Sequence, residues 1–438
     1  MSTTLPGAMT TATAAAPVRP SFAADLAREA RLLLRERGAV LVCAVLCALA
    51  ATSVFLGLAE VGRQQADIER FRALDAEDRA AALAATTDWG DAAYAAFHAT
   101  WDPPAPLAFA ALGQRDVAPW MLRVRMLALE GQIHESDTGN PELALAGRFD
   151  LSFVAAFVLP LALVLLLHDL VAREREQGRL PLLVATAGDG RRLWIARIVV
   201  RVGALALALL IPFWVGAALA AVPAGTTALA SGALLAAAVV WTLLLLPLVF
   251  RPWPATVIAT AGVGLWVALA LVVPLAGRLV TDALVLRVDG ADVAFVQREA
   301  VNDAWDLPKA ATMDAFVESH PEWADTAPVE QPFHWKWYYA FQQVGDETAG
   351  ELSRAYRDAI AARDRVAGRV AWLSPTVAVQ RALQRLAGTD VAATLRHDAR
   401  IRAYHARLRA FWYPMLFDEP PFDRARLEAL PEFDPAGG

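Results

Sequence analysis

The run Val202–Phe250, VGALALALLIPFWVGAALAAVPAGTTALASGALLAAAVVWTLLLLPLVF, contains no charged side chain in 49 residues. One helix needs about 20 apolar residues to cross a hydrocarbon core of roughly 30 Å, so this run is long enough for two helices. The sequence Pro223-Ala224-Gly225-Thr226-Thr227 near its middle is typical of a turn. The run therefore predicts two membrane-spanning helices joined by a tight connection.

Three further uncharged runs flank this pair: Gly38–Ala59 with 22 residues, Leu151–His168 with 18 and Pro252–Gly277 with 26. The whole chain of 438 residues is 57% hydrophobic and only 20% charged, whereas soluble domains are roughly 45–50% apolar and about a quarter charged. Helices satisfy their own backbone hydrogen bonds in lipid. We therefore predict an all-α polytopic membrane protein with about five transmembrane helices and two mainly helical extracytoplasmic regions.

The arginines predict the orientation of the chain, because short loops rich in Lys and Arg stay in the cytoplasm. Four arginines lie between residues 28 and 37, seven lie between residues 173 and 201, and Arg251 lies between the fourth and fifth predicted spans. Five spans place all three groups on one side of the membrane. We therefore expect a cytoplasmic N-terminus, and two long segments on the opposite side.

The predicted layout follows from these runs and from the absence of an apolar stretch before residue 38, which favours a leader over a cleavable signal. Its parts are a flexible leader (1–20), a cytoplasmic amphipathic interface helix (21–37), TM1 (38–59), extracytoplasmic region 1 (60–149), TM2 (150–171), a cytoplasmic coupling loop (172–193), TM3 (194–222), TM4 (227–250), TM5 (253–277) and extracytoplasmic region 2 (278–438).

Extracytoplasmic region 2 contains three recognisable patterns. Residues Val285–Val296 alternate in a way that predicts a short strand. Two aromatic clusters, Phe333–Phe341 and Phe411–Phe417, are expected either to pack in the core of this region or to rest on the outer leaflet. Long helical patterns between residues 351 and 412 break at Ser374-Pro375.

Several function classes are disfavoured by composition. The net charge of −6 argues against a nucleic-acid-binding protein, which would carry a basic face. The only lysines, Lys309 and Lys336, do not form a Gly-Lys-Ser/Thr phosphate loop, so the chain is not itself a P-loop ATPase. His397 and His405 could share a helical face and bind a metal, but buried or surface histidines are the commoner interpretation. We predict no metal, no cofactor and no enzymatic activity.

Residues Ser21–Arg37 form the first candidate for a binding surface. Ser21 can cap a helix in which Arg28, Arg31 and Arg35 lie on a polar face, and such a basic amphipathic helix lies along the inner membrane surface. A simple juxtamembrane anchor is the alternative interpretation.

The loop after the second run is the other candidate. It contains Arg173, Glu174, Arg175 and Glu176, then Gly178 and an apolar segment that begins at Leu180. A docking surface and an ordinary solvated charged face are both compatible with this pattern.

A family resemblance favours docking. The stretch Asp169–Arg201, with its Arg-Glu-Arg-Glu-x-Gly-x-Leu-x-Leu-Leu run, a small-residue turn and a basic start to the next span, resembles the permease subunits of ABC-2-type transporters. In that family the run lies between the second and third spans and contacts the ATPase. A subset with large extracytoplasmic inserts after spans one and five is similar through Trp101-Asp102-Pro103-Pro104-Ala105-Pro106-Leu107-Ala108 and Leu373-Ser374-Pro375-Thr376.

The chain departs from the family pattern in two places. It has Gly178-Arg179-Leu180 where members usually have Gly-Thr-Leu. The family also has a sixth span, whereas five spans are predicted here and the sequence ends at Leu430–Gly438, either because the chain is truncated or because this member differs.

The resemblance implies a function and a set of partners. The chain would be the membrane-spanning permease subunit of an ATP-driven transporter in the inner (plasma) membrane, with export as the expected direction. A separate P-loop ATPase subunit would bind at the coupling residues Arg173, Glu174, Arg175, Glu176, Gly178 and Leu180 and at the interface helix with Arg28, Arg31 and Arg35. A second permease copy, identical or related, would complete the path through the lipid bilayer.

Two alternatives remain open from the sequence. One is a non-transporting membrane scaffold or sensor whose extracytoplasmic domain binds a ligand or partner. The other is an enzyme with its site in residues 278–438.

Overall fold

A computed structural model of the chain describes residues 21–134, 149–187 and 190–437. The predicted leader 1–20 lies outside the described residues. Within them, five helices are long and apolar enough to cross a membrane, as the uncharged runs predicted. They are span 1 (Arg37–Ala85), span 2 (Leu151–Glu176), span 3 (Gly190–Leu219), span 4 (Ala224–Val249) and span 5 (Ala255–Leu284). The chain is a mainly helical, multi-pass membrane protein.

Span 2 is the centre of the bundle. In its most apolar window 67% of the residues are buried, against 17–39% in the other four spans. Its side chains Leu159, Leu163 and Leu167 are fully buried and share one core with Phe213 of span 3 and Trp241 of span 4. The outward-facing residues of spans 1, 3, 4 and 5 are exposed apolar side chains, as expected for surfaces in contact with lipid.

Span 1 is much longer than the uncharged run 38–59 that predicted it. Its 49 residues correspond to about 73 Å of helix at 1.5 Å per residue, more than twice the roughly 30 Å hydrocarbon core. The charged half continues as helix because it is rich in strong helix formers and because pairs such as Glu60–Arg63 (2.6 Å) and Asp75–Arg79 (2.7 Å) lie one turn apart. The start of the predicted extracytoplasmic region 1 is thus an uninterrupted extension of span 1.

Spans 2 and 5 each contain a π-helical segment that ends two residues before a proline. The segments are Val154–Val158, before Pro160, and Ala268–Val272, before Pro274. Proline has no N–H and its ring crowds the preceding turn, so the helix widens and carbonyl groups lose their usual donors.

Two segments of the regions predicted to be extracytoplasmic enter the bundle core. The backbone turn Ala108–Ala110 is fully buried, and Phe109 packs against Phe213 with 6.4 Å between ring centroids. The helix Pro375–Ala387 packs on span 4 and on the π segments, with Val379 and Leu383 buried in the same core. This helix therefore belongs to the bundle core, although it lies within the range 278–438 predicted as extracytoplasmic region 2.

The remaining residues beyond the bundle form a domain with its own aromatic core. We call it the outer domain. The bounds of its elements are Trp89–Ala95, Leu129–His134, Gly290–Asp303, Lys309–Ser319, Trp335–Val370 and Val391–Phe417 for helices, and Phe97–Trp101 paired antiparallel with Met121–Arg125 for a two-stranded sheet. Side chains from both predicted aromatic clusters, including Tyr339 and Trp412, are buried in this core. Packing within the outer domain is therefore the correct one of the two expectations for these clusters.

The strand predicted over Val285–Val296 is wrong. Residues Gly290–Asp303 form a helix, and Asp289 caps it by accepting a hydrogen bond from the Ala291 N–H at 3.1 Å. The Asp-Gly pair is a helix-start signal, and tertiary packing overrides the alternating pattern that follows it. The sequence did not predict the sheet that the structure contains.

Candidate functional site

The candidate site lies at the arginine-rich end of the bundle, where the interface helix Phe22–Arg35 packs along span 3. Ser21 caps this helix by accepting from the Ala24 N–H at 3.3 Å, as predicted. Arg28, Arg31 and Arg35 are exposed, and Arg28 pairs with Asp25 of its own helix at 3.2 Å.

The opposite face of the interface helix is acidic and is bound to span 3 by three ion pairs. They are Asp25 with Arg192 at 2.7 Å, Glu29 with Arg197 at 3.2 Å, and Glu36, which follows the helix, with Arg201 at 3.1 Å. Because successive charges on each side are spaced by about one or two helical turns, the pairs form in register. They fix the interface helix along the first turns of span 3.

The end of span 2 joins the same ion pairs. Glu174 accepts from Arg197 at 3.1 Å, and Arg173 pairs with Glu36 at 2.7 Å. Arg201 also lies 3.4 Å from Asp169. We call this set the charge network; its members are Asp25, Glu29, Glu36, Asp169, Arg173, Glu174, Arg192, Arg197 and Arg201.

The charge network is partly removed from water. The side chains of Arg197, Glu29 and Glu174 are 13%, 7% and 13% exposed. Desolvation limits the net stability that such pairs contribute, but removing one partner leaves a buried charge and costs about 3–5 kcal/mol. The network therefore specifies one arrangement of the interface helix, span 2 and span 3.

Arg175 and Glu176 contact the start of span 5. Arg175 donates to the carbonyl oxygen of Arg251 at 3.1 Å, and Glu176 accepts from the Ala255 N–H at 2.8 Å. The first N–H groups of a helix have no intrahelical partner and carry partial positive charge, so a carboxylate is stabilising there. The last turn of span 2 thereby caps span 5.

Gly178 forms the bend between the end of span 2 and the next helix, Leu180–Ala187. Its φ of 68° lies in the left-handed region, where glycine ends helices without strain. Beyond it, Leu182 is 66% exposed and Val184 is 46% exposed. Leu180 itself is half-buried and packs against the bundle core. The short helix therefore presents an apolar face away from the bundle. We call it the docking helix.

The structure brings the predicted coupling residues together, and it adds partners that the sequence interpretation did not assign. Arg173, Glu174, Arg175 and Glu176 each contact another element of the bundle, whereas Gly178 and Leu180 connect the docking helix to them. The roles of Asp25, Glu29, Arg197 and Arg201 were missed. The sequence did contain a signal for these pairs, because acidic residues of the interface helix and arginines at the start of span 3 recur at similar spacings.

His397 and His405 are not exposed ligands. They are 3% and 1% exposed in the outer-domain core, and His405 Nε2 lies 3.0 Å from the carbonyl oxygen of Arg125. Burial lowers the pKa of His397 to about 4, and a nearby Asp102 only partly offsets this effect. Among the described residues no group of three or more His, Cys, Asp and Glu side chains is arranged to hold a metal ion.

Comparison with known proteins adds one family match. Residues 293–436, about a third of the chain, match a family model described as a domain of unknown function (DUF3526). No curated protein and no solved structure matches the chain. The match covers the outer domain from the helix Gly290–Asp303 onward, and it includes the helix Pro375–Ala387 that enters the bundle.

Proposed function

We propose that the chain is the membrane-spanning permease subunit of an ATP-driven transporter of the ABC-2 type, and that it works as an exporter. A separate ATPase subunit supplies the energy by binding the docking helix and the interface helix from the cytoplasmic side. In this proposal the N-terminus is cytoplasmic and the outer domain lies across the plasma membrane.

One observation carries the proposal: a short helix with an exposed apolar face is linked through charged contacts to four other elements. Displacement of the docking helix by a bound subunit would act on Glu174, and through Arg197 on span 3 and the interface helix. Glu176 would carry the same displacement to the N-terminus of span 5. Packed helices and buried ion pairs respond to a push as units, because their alternative arrangements are discrete.

The exposed apolar surfaces of the spans support the pairing with a second permease copy. Span 5 has the least buried apolar window of the five, 17%, and it carries the exposed side chains Leu271, Val272 and Leu275. In the proposed assembly part of this surface faces the second copy and the rest faces lipid.

The test is copurification of the tagged chain, co-expressed with the nearest encoded P-loop ATPase, from isolated membranes. Leu182→Asp combined with Val184→Asp places two charges on the exposed face of the docking helix and is expected to abolish the complex. Leu286→Asp is the matched control, since Leu286 is 77% exposed beyond span 5, at the opposite end of the bundle. An inserted wild-type chain that retains no ATPase would overturn the proposal.

A second candidate function is a membrane scaffold or sensor, and one observation favours it. The outer domain holds a cavity of about 520 Å³ with His320, Trp323, Arg402 and Arg409 in its wall, a volume in the range of small-molecule sites. Deletion of the docking helix separates the two functions, because a sensor would keep its ligand response and a permease would lose transport.

A further inference from the structure

We propose that a cavity at the outer end of span 5 binds an anionic amphiphile, namely a membrane lipid with a negatively charged head group. The cavity has a volume of about 630 Å³ and lies between span 5 and the outer helix Trp335–Val370. This inference does not depend on transport or on an ATPase partner.

The position of the cavity along span 5 places it at the level of lipid head groups. Span 5 begins at Ala255, just after Arg251 at the arginine-rich end of the bundle. Pro274 lies 19 residues further along, which is about 29 Å of helix, so it reaches the far boundary of a hydrocarbon core of roughly 30 Å. The wall of the cavity runs from Pro274 to Asp282 and thus extends outward from that boundary.

The floor of the cavity is apolar. One face of the outer helix supplies Ile360, Ala367 and Val370. Val377 of the helix Pro375–Ala387 and Pro274 of span 5 add further apolar lining. Exposed apolar side chains adjoin these lining residues in the chain: Leu275 is 58% exposed, Leu279 64% and Trp372 91%. In this proposal an acyl chain enters the cavity sideways from the membrane, beside these apolar side chains.

The rim of the cavity is cationic. Arg278, Arg287 and Arg363 line it together with Asp282 and Asp289. Asp282 is bound by Arg363, and Asp289 is engaged at the N-terminus of the helix Gly290–Asp303. Arg278 is 81% exposed, and its ion pair with Asp282 is long, at 3.9 Å. Arg287 is also exposed. Two guanidinium groups are thus available to bind an anion above an apolar floor.

This combination specifies the class of ligand. A free phosphate would satisfy the arginines but would not use the apolar floor, and a neutral amphiphile would leave the arginines without an anion. A phosphodiester head group with attached acyl chains fits both parts of the cavity, and guanidinium groups bind phosphate oxygens in two-point geometry.

The experiment uses the full chain in phosphatidylcholine nanodiscs doped with phosphatidylglycerol that carries a photoreactive diazirine in one acyl chain. Cross-linked peptides are mapped by mass spectrometry. We expect labels concentrated in residues 274–286 and 360–377, and we expect Arg278→Glu with Arg287→Glu to lower that yield at least about fivefold, since each basic group near an anionic surface contributes on that order.

Two further variants make the result interpretable. Arg354→Glu is the charge-reversed control, because Arg354 is exposed on the opposite side of the same outer helix, and its labelling should equal wild type. Ala367→Trp fills the floor without changing charge and should also reduce labelling, so the test does not depend on one variant folding correctly.

Soluble glycerophosphate is added as a competitor to separate the two sources of an anionic group. Failure to compete supports a lipid ligand, whereas competition at concentrations similar to those of the lipid would show that the arginines bind free phosphate and would overturn the lipid assignment. Labels spread evenly over the lipid-facing spans, or undiminished in the double charge reversal, would also overturn it.

Discussion

Ser374 Oγ donates a hydrogen bond of 2.7 Å to the carbonyl oxygen of Leu269, which lies in the π-helical segment of span 5. Val273 N–H bonds to Ala268 in the π pattern, and the next donor in that pattern would belong to Pro274, which has none. The hydroxyl of Ser374 therefore replaces a backbone donor that proline removes. The outer domain is thereby fastened to the middle of a membrane-spanning helix.

Thr376 makes the equivalent contact with span 2. Its hydroxyl donates to the carbonyl oxygen of Ala156 at 3.2 Å, and the α-helical donor for that carbonyl would be Pro160. Ser374 and Thr376 are 0% and 1% exposed, so water cannot take their place. One four-residue motif, Leu373–Thr376, satisfies both widened helices.

Loss of either hydroxyl is expected to destabilise the chain. Ser374→Ala or Thr376→Val leaves a buried carbonyl without its donor, at a cost of about 1–3 kcal/mol in the free energy of unfolding. Ser374→Ala also removes the cap of the helix Pro375–Ala387, since Ser374 Oγ accepts from the Val377 N–H at 3.3 Å. Thermal unfolding of the detergent-purified chain measures the loss.

Thr376→Ser is the matched control, because it keeps the hydroxyl and removes one methyl group. Amide hydrogen exchange in Pro375–Ala387 should accelerate in Thr376→Val and stay near wild type in Thr376→Ser. Equal exchange in the two variants would show that the hydrogen bond to Ala156 contributes nothing measurable.

Gly57 and Gly62 of span 1 provide a second test on one helix. A Cβ at residue 57 would lie 2.0 Å from the carbonyl oxygen of Phe109, whereas a Cβ at residue 62 would meet nothing within 4 Å. Gly57→Ala should therefore displace the buried turn Ala108–Ala110 and lower stability by about 1–3 kcal/mol. Gly62→Ala should be neutral or stabilising by up to about 1 kcal/mol, because alanine favours helix. Thermal unfolding of the two variants is measured in parallel. Similar unfolding midpoints would contradict the predicted clash between residue 57 and the turn Ala108–Ala110.

The sequence alone was sufficient to predict a feature where one local property, such as hydrophobicity or helix capping, determined it. Uncharged runs had no stable place except a membrane or a large core, so the number of spans followed from their lengths. Ser374-Pro375 was recognisable as a break because proline starts helices and serine caps them. In both cases the decisive residues are neighbours in the chain.

Features that depend on distant residues were not predictable from local pattern. The helix Pro375–Ala387 has an apolar face through Val379, Leu383 and Ala387, but its 13 residues are too short to suggest membrane depth. On its other face Arg381 pairs with Asp364 at 2.6 Å. Similarly, Glu29 and Arg197 are 168 residues apart. The sequence around either residue does not show whether its charge is paired with another side chain or solvated.

Glu130 and Arg402 form a largely buried ion pair in the outer domain. Arg402 donates two hydrogen bonds of 2.8 Å, one to each carboxylate oxygen, and Ser353 Oγ adds a third at 2.7 Å. Burial by itself raises the pKa of Glu130, but the hydrogen bonds from Arg402, His134 and Ser353 outweigh it and hold the pKa well below its usual value. The carboxylate is therefore charged throughout the neutral range.

Arg402→Ala is expected to lower the free energy of unfolding by about 3–5 kcal/mol, because it leaves a buried carboxylate without its arginine partner. Replacing both residues by methionine removes both charges and should cost less than the single change. Hydrogen exchange in the helix Val391–Phe417 reports this difference. A double variant that is less stable than Arg402→Ala would contradict the interpretation.

Acidification is expected to weaken the outer domain through its buried histidines. Burial lowers the pKa of His98 to about 3 and that of His397 to about 4, and it lowers the pKa of His405 as well. The unfolded chain binds protons at these positions below pH 6.5 while the folded chain does not, so stability is complete above pH 6.5 and is lost as the pH falls toward the folded values. The slope that each histidine contributes is about half of 1.4 kcal/mol per pH unit at pH 6.5 and approaches the full value about one pH unit lower.

His397→Phe isolates one of these contributions. Neither ring nitrogen of His397 has a hydrogen-bond partner among the described residues, so an apolar ring of similar size sacrifices no hydrogen bond. The variant should match or exceed wild-type stability at pH 7.5, and its opening free energy should fall less steeply between pH 6.5 and 5.5, where carboxylates with ordinary pKa values stay ionised. Hydrogen exchange of Val391–Phe417 across that range gives both slopes. Because the unfolded histidine is half protonated at pH 6.5 and about nine-tenths protonated at pH 5.5, the slopes should differ by about 1 kcal/mol per pH unit over this range. Identical slopes would show that His397 is already protonated in the folded chain.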